Sequence, residues 1–177
     1  VCSPQEALAA AIELVVWCID YARSLGAEVH TMTIMGNHDR MLSSAAGMAV
    51  RQRFIGSEDV VTYDLQERVY TAYEDHLLLA THGDMKKRQW KQLPSIIMQE
   101  ARQLLADTRW QTVVSGHQHF QSVDVEDQSG TLYTQGSSPS PTDQWHYQNG
   151  YVGSRKGIQM LLLAPKTAAT SVMHLPV

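Results

Sequence analysis

The chain has little of what would tie it to an oxidising compartment, a membrane or a long stretch of nucleic-acid backbone. Its 177 residues include two cysteines, Cys2 and Cys18, with no C-x-x-C pair. That excludes a disulfide framework and a cysteine-rich zinc site, and it fits a reducing compartment. No apolar run reaches the roughly 18 residues of a membrane helix, and no basic-then-apolar leader opens the chain. The expectation is a cytoplasmic chain with no membrane partner. A net charge of -4 argues against an extended basic surface while leaving room for a local patch. No internal repeat and no linker divides the sequence, so one domain is expected over residues 1–177. No serine or cysteine is placed like a nucleophile.

What is present reads as a folded α/β chain. Hydrophobic residues make up 44% and charged ones 18%, enough to bury a core and too few charges for disorder. Ser3-Pro4-Gln5-Glu6 has the form of a capping box with proline in the first turn, and Leu8, Ile12, Val15, Ile19 and Ala22 then recur at helical spacing. Gly26 is placed to end that helix. An extended run follows from Val29 to Ile34, and a helix from 41 to 53 with Met41, Leu42, Ala45, Met48 and Ala49 on one side. Residues 54–64 read as a loop with a short extended piece.

Strands are expected at 69–73 and 76–80, a helix from about 95 to 106, and a strand at 111–115. A hairpin over 120–126 and 131–135 and two closing strands at 158–163 and 171–175 complete the pattern. Residues 136–157 are irregular but carry Trp145, His146, Tyr147 and Tyr151. A loop that long in a compact domain is usually functional, as a rim or lid would be.

Three of these strand ends stop in polar clusters: Asn37-His38-Asp39, His82 with Asp84, and His117 with His119. They take four of the eight histidines, each close to a glycine. The ordinary reading of a histidine is surface or hydrogen-bonded core, and it suits His30, His76, His146 and His174. It does not account for a repeated architecture in which a strand ends at a Gly/His turn. Parallel strands put their carboxyl ends on one rim, where ligands of open α/β sheets bind.

Gly36-Asn37-His38-Asp39, Thr81-His82-Gly83-Asp84 and Gly116-His117-Gln118-His119 resemble, in that order, the third, fourth and fifth motifs of the calcineurin-like metallophosphoesterase superfamily. The resemblance covers roughly residues 1–164, and the pieces near 145–153 look like those of phage-associated members. It implies a four-layer α/β/β/α sandwich with a two-metal site on its rim, hydrolysing phosphodiesters or phosphomonoesters, nucleotides or nucleic acid among them. Asn37, His82 and His117 would bind one metal and His119 the other. His38 would be the acid that protonates the leaving group, with Asp39 orienting its ring. Arg40, Lys86, Lys87 and Arg88 are the substrate-binding candidates. Two divalent ions are implied, with Mn2+ favoured for an oxygen-and-imidazole site over Fe, Zn, Ni or Mg.

The family's first motif, Asp-x-His, and its second, Gly-Asp, have no counterpart in residues 1–35. The expectation is a chain lacking the N-terminal β-α elements of the fold, completed by a missing N-terminal segment or a complementing chain. The alternative is a catalytically inactive binding module of the same fold. A single zinc ion on Asn37, His82 and His117 ranks last, because zinc prefers imidazole, thiolate and carboxylate over an amide. Lys86, Lys87, Arg88 and Lys91, with Trp90 among them, could track a phosphate backbone. Their plainer reading is a solvated approach to a helix.

Overall fold

The computed structural model describes residues 3–85, 87–117, 122–126, 129–139, 147–148, 155–168 and 170–177. The side chains of 87, 88 and 126 also fall outside the description. Two compact units divide the chain, Val1–Val69 and Tyr70–Val177, and each is described by itself.

The first unit opens with helix α1 (Pro4–Ser24). Its capping box forms as expected: Ser3 Oγ accepts from the Glu6 N–H at 3.2 Å, and Glu6 Oε2 accepts from the Ser3 N–H at 2.8 Å. Two orphan amide donors of the first turn are thereby satisfied. Gly26, at φ +80, ends the helix in the left-handed backbone that favours glycine. Strand β1 (Val29–Thr31) is shorter than the extended run of the sequence, although Ile34 still makes an isolated parallel bridge with Gln66. Helix α2 (Arg40–Arg53) leads to β2 (Val60–Thr62), which pairs with β1 in parallel, Val29 opposite Val60. β1, α2 and β2 thus form a βαβ unit.

Ile19, Val50, Phe54 and Val60 form the core of this unit, with Val16 and Val29 packed against it. The face of α1 differs slightly from the spacing argument, since Val16 joins the core while Val15 is exposed. The buried face of α2 differs more. Met41 and Met48 point to solvent, and Gly47 and Val50 are buried instead. The reason is close approach: a Cβ on Gly47 would lie 2.6 Å from Leu65 Cδ2 and 2.9 Å from Thr33 Cβ. Counting apolar residues puts the large side chains inward, whereas here the helix packs through its smallest one.

The second unit begins inside β3 (Arg68–Tyr73) and is built on a five-stranded sheet with β4 (His76–Thr81), β5 (Trp110–Ser115), β6 (Ser122–Glu126) and β7 (Thr131–Gln135). The order is β3-β4-β5-β7-β6. β4 and β7 both run parallel to β5, and β6 runs antiparallel to β7, so the sheet is mixed and the expected α/β class is observed.

Helices α3 (Lys87–Trp90), α4 (Leu93–Glu100) and α5 (Arg102–Asp107) connect β4 to β5. The single helix expected over 95–106 bends at Ala101, whose φ of -124 leaves the helical range. Main-chain bonds from Ala101 N–H to Ile97 O and from Leu105 N–H to Ala101 O carry across the bend. Leu77, Leu79 and Val113 rise from alternate strand positions to meet Leu93, Ile97 and Ala101. Burial of such a side chain is worth about 1.5–3 kcal/mol, so this cluster holds the helices on the sheet. Two antiparallel strands, β8 (Gly157–Leu163) and β9 (Thr170–Pro176), close the chain. Most of the irregular stretch 136–157, Trp145, His146 and Tyr151 included, lies outside the described residues. Among the described residues no helix is long and apolar enough to cross a membrane.

Two outcomes test this packing. Gly47→Ala would gain about 1 kcal/mol in an open helix, but overpacking costs about 1–3 kcal/mol, so a urea melt should show net destabilisation. A gain would contradict the close approach of α2. Separately, the hydrogen bond from Arg23 Nε to Asp59 Oδ2 at 2.8 Å holds the Asp59 carboxyl below its usual 3.8. A depressed carboxyl contributes stability above its unfolded pKa and loses it as pH falls through the folded one. The small deficit of Asp59→Asn, screened by solvent, should therefore be present at neutral pH and vanish at the acid end. A deficit that grows on acidification would contradict the pairing.

Candidate metal centre

β4 and β5 are parallel neighbours, with Ala80 opposite Val114, so their carboxyl ends lie on one edge. The chain leaves them at Thr81-His82-Gly83 and Ser115-Gly116-His117. The Gly116 N–H donates to His82 O at 3.0 Å, and the Gly136 N–H, just past β7, donates to Ser115 O at 2.8 Å. Main-chain bonds therefore stitch three successive strand ends together, which leaves each following turn little freedom to move.

Glycine makes the first of these approaches feasible. Gly83 has φ +100, and a Cβ there would lie 2.9 Å from Gly116 O and 3.2 Å from Ser115 Cβ. A main-chain oxygen cannot swing aside as a side-chain tip can, so position 83 admits no larger residue without opening the edge. His117 itself sits at φ 71, in the left-handed region that a non-glycine residue seldom occupies. Holding such a conformation costs about 1–3 kcal/mol, and such residues cluster at functional sites.

The two turns bring the imidazoles together. His117 Nδ1 and His82 Nε2 are 3.1 Å apart and share a hydrogen bond, the tautomers deciding which nitrogen donates. The ring centroids are 4.8 Å apart and the planes cross at 67°. Both rings are half-buried. This donor set fits a cation. Nitrogens bound to one ion at about 2.1 Å, at angles between square and tetrahedral, lie about 3.0–3.4 Å apart, and the observed spacing falls inside that range. Two nitrogens held so close would otherwise have to share one proton.

The remaining candidates are placed as follows. Asn37, His38 and Asp39 occupy the exposed turn that leads into α2, in the first unit. Asp39 departs from expectation: its Oδ2 accepts from Ser43 Oγ at 2.7 Å, and among the described residues no hydrogen bond joins it to His38. Standing at the N-cap position of α2, its carboxylate reaches along the helix rather than back to its neighbour. Arg40 forms an exposed ion pair with Glu67. His119 and Lys86 lie outside the described residues, and Lys87 and Arg88 are placed by backbone alone. Among the described residues no group of three or more His, Cys, Asp or Glu side chains converges. His30 and His76 have ordinary partners, Glu28 and Tyr63 for the first and Ala164 O for the second.

The sequence signal for the pair was Gly beside His at two strand ends. The left-handed backbone of His117 had no such signal, because a histidine in that conformation is spelled like any other.

No family model matches the chain, and no curated protein matches it. Among solved structures it is similar to a conserved uncharacterized protein from Streptococcus pneumoniae, described as a predicted phosphoesterase. That alignment has 12% identity and a TM-score of 0.37, over 82% of this chain and 96% of the other. It is also similar to wild-type Vps29 from Entamoeba histolytica, complexed with Zn2+, at 10% identity and a TM-score of 0.41, over 85% of this chain and 83% of the other. Neither likeness carries a residue role across.

Gly83→Ala tests the edge directly. It should lower the thermal midpoint and weaken Zn2+ binding measured by calorimetry, because the added methyl pushes the two histidine turns apart. Unchanged metal affinity would show that the close approach does not set the histidine spacing.

Proposed function

We propose that the chain is a metal-dependent phosphoesterase of the calcineurin-like kind, acting at the edge formed by the ends of β4 and β5. The observation that carries this reading is the 3.1 Å separation of His117 Nδ1 and His82 Nε2 at two glycine turns. The three Gly/His-type motifs of the sequence support it.

When bound, divalent cations would neutralise phosphate charge and supply an activated water. The chain's own part is to hold and to protonate. His82 and His117 would present neutral imidazole nitrogens to one cation, and the amide oxygen of Asn37 would join them. His119 would serve the second cation. His38 would give a proton to the departing oxygen. Asp39, bonded to Ser43, would act by fixing the turn that carries His38. Mn2+ is the favoured cation on donor chemistry, since amide oxygen and imidazole together suit it.

Elemental analysis paired with turnover of bis(p-nitrophenyl) phosphate tests the assignment. His82→Ala and His117→Ala should lose both bound manganese and turnover. His38→Ala should keep the manganese and lose about 10²–10⁴ in rate, the usual share of a general acid. Wild-type protein that binds manganese through this pair but turns nothing over would favour the non-catalytic binding module. Protein that binds no divalent cation would sink both readings.

A further inference from the structure

Within the second unit a groove of about 340 Å³ is lined by residues of the segment after β4 and of strands β5, β6 and β7. Its lining brings Trp90 and Lys91 together with Ser122 and Asp124 of β6 and Tyr133 and Gln135 of β7. Register explains the grouping. Ser122 pairs with Gln135 and Asp124 with Tyr133, so the alternate residues of two neighbouring strands face the same way. Tyr133 in turn lies opposite Val113 of the buried core, which places the groove on the helix-covered side of the sheet.

The geometry points to a nucleobase as the occupant of this groove, with the nucleotide's phosphate directed to the His82–His117 edge. The rings of Trp90 and Tyr133 meet at 70° with centroids 6.1 Å apart, which makes an aromatic corner. A flat ring can stack on one wall with its rim against the other. Trp90 spends its Nε1–H on Met85 O at 3.1 Å, so it offers the groove a π surface and no donor. Asp124 brings the polar specificity. Its Oδ1 already accepts from the Val125 N–H at 2.9 Å, which fixes the carboxylate and leaves further lone pairs for ring N–H donors. Lys91 supplies a cation in the same lining, suited to a ring nitrogen or carbonyl oxygen. Guanine, with adjacent N–H donors and a carbonyl on one edge, matches that pairing well. A volume of this size lies at the small end of ligand sites, as a single base requires.

The groove also lies the right way along the chain. Ser115 lines it and is two residues before His117. Two residues reach at most about 7 Å, a gap that a ribose bridges. The position of the phosphate rests on the phosphoesterase reading; binding of the base does not.

The test is calorimetric titration of the EDTA-treated full chain with guanosine 5'-monophosphate, guanosine and ribose 5-phosphate. Guanosine should bind without any metal, and ribose 5-phosphate at least tenfold more weakly than the nucleotide. Asp124→Asn keeps the oxygen that takes the Val125 N–H and should weaken guanosine about tenfold, the loss expected for a hydrogen bond to a charged group. Tyr133→Leu, checked for its fold by circular dichroism, should weaken guanosine by a similar factor through lost stacking. The inference is overturned if ribose 5-phosphate binds as well as the nucleotide, or if guanosine affinity ignores Asp124→Asn. Guanosine failing to bind a protein that hydrolyses bis(p-nitrophenyl) phosphate removes the groove and leaves the activity. Guanosine binding to a protein without turnover keeps the groove and removes the phosphoesterase reading.

Discussion

The approach of two main chains at Gly83 and Gly116 is the constraint on which the site depends. Parallel strands share an edge in any α/β sheet, but sharing an edge does not bring two imidazoles within 3.1 Å. That requires the turns after β4 and β5 to touch, and the bond from Gly116 N–H to His82 O is possible only where position 83 has no side chain. The turn that carries the second ring also holds His117 in a left-handed backbone, at φ 71. Strain at one residue is held in place by main-chain bonds at its neighbours.

The same economy appears in the first unit, where α2 meets Thr33 and Leu65 through Gly47 and leaves its methionines in water. In both units a glycine sets how closely two segments lie, and larger side chains then fill what remains. The core of Leu77, Leu79, Val113, Leu93 and Ile97 provides the rigid floor below the histidine edge. A site on such a floor keeps its donors near a fixed spacing, which is what cation binding asks of a protein.

Much of this was legible in the sequence. The capping box at Ser3 and Glu6, the helix-ending Gly26, and Gly beside His at the strand ends all carry their physical cause in local spacing. What was not legible depended on contacts between distant segments. The buried face of α2 is not legible, because apolar counting cannot foresee a glycine packed on Thr33. The bend at Ala101 breaks no propensity rule and came as a departure from one continuous helix. The motif resemblance makes Asp39 a partner for His38, yet its carboxylate accepts from Ser43 Oγ at the start of α2. The groove was hidden for the same reason: Ser122, Asp124, Tyr133 and Gln135 become neighbours only once β6 and β7 are in register.

The central claim is that His82 and His117 act as one binding unit. Nitrogen-15 NMR of the histidine side chains during a Zn2+ titration tests it most directly, because each imidazole nitrogen reports its own state. The account predicts that Nε2 of His82 and Nδ1 of His117 shift together, at one stoichiometric point, and that neither shifts when the other residue is alanine. Independent shifts, or one ring responding in the absence of the other, would contradict it.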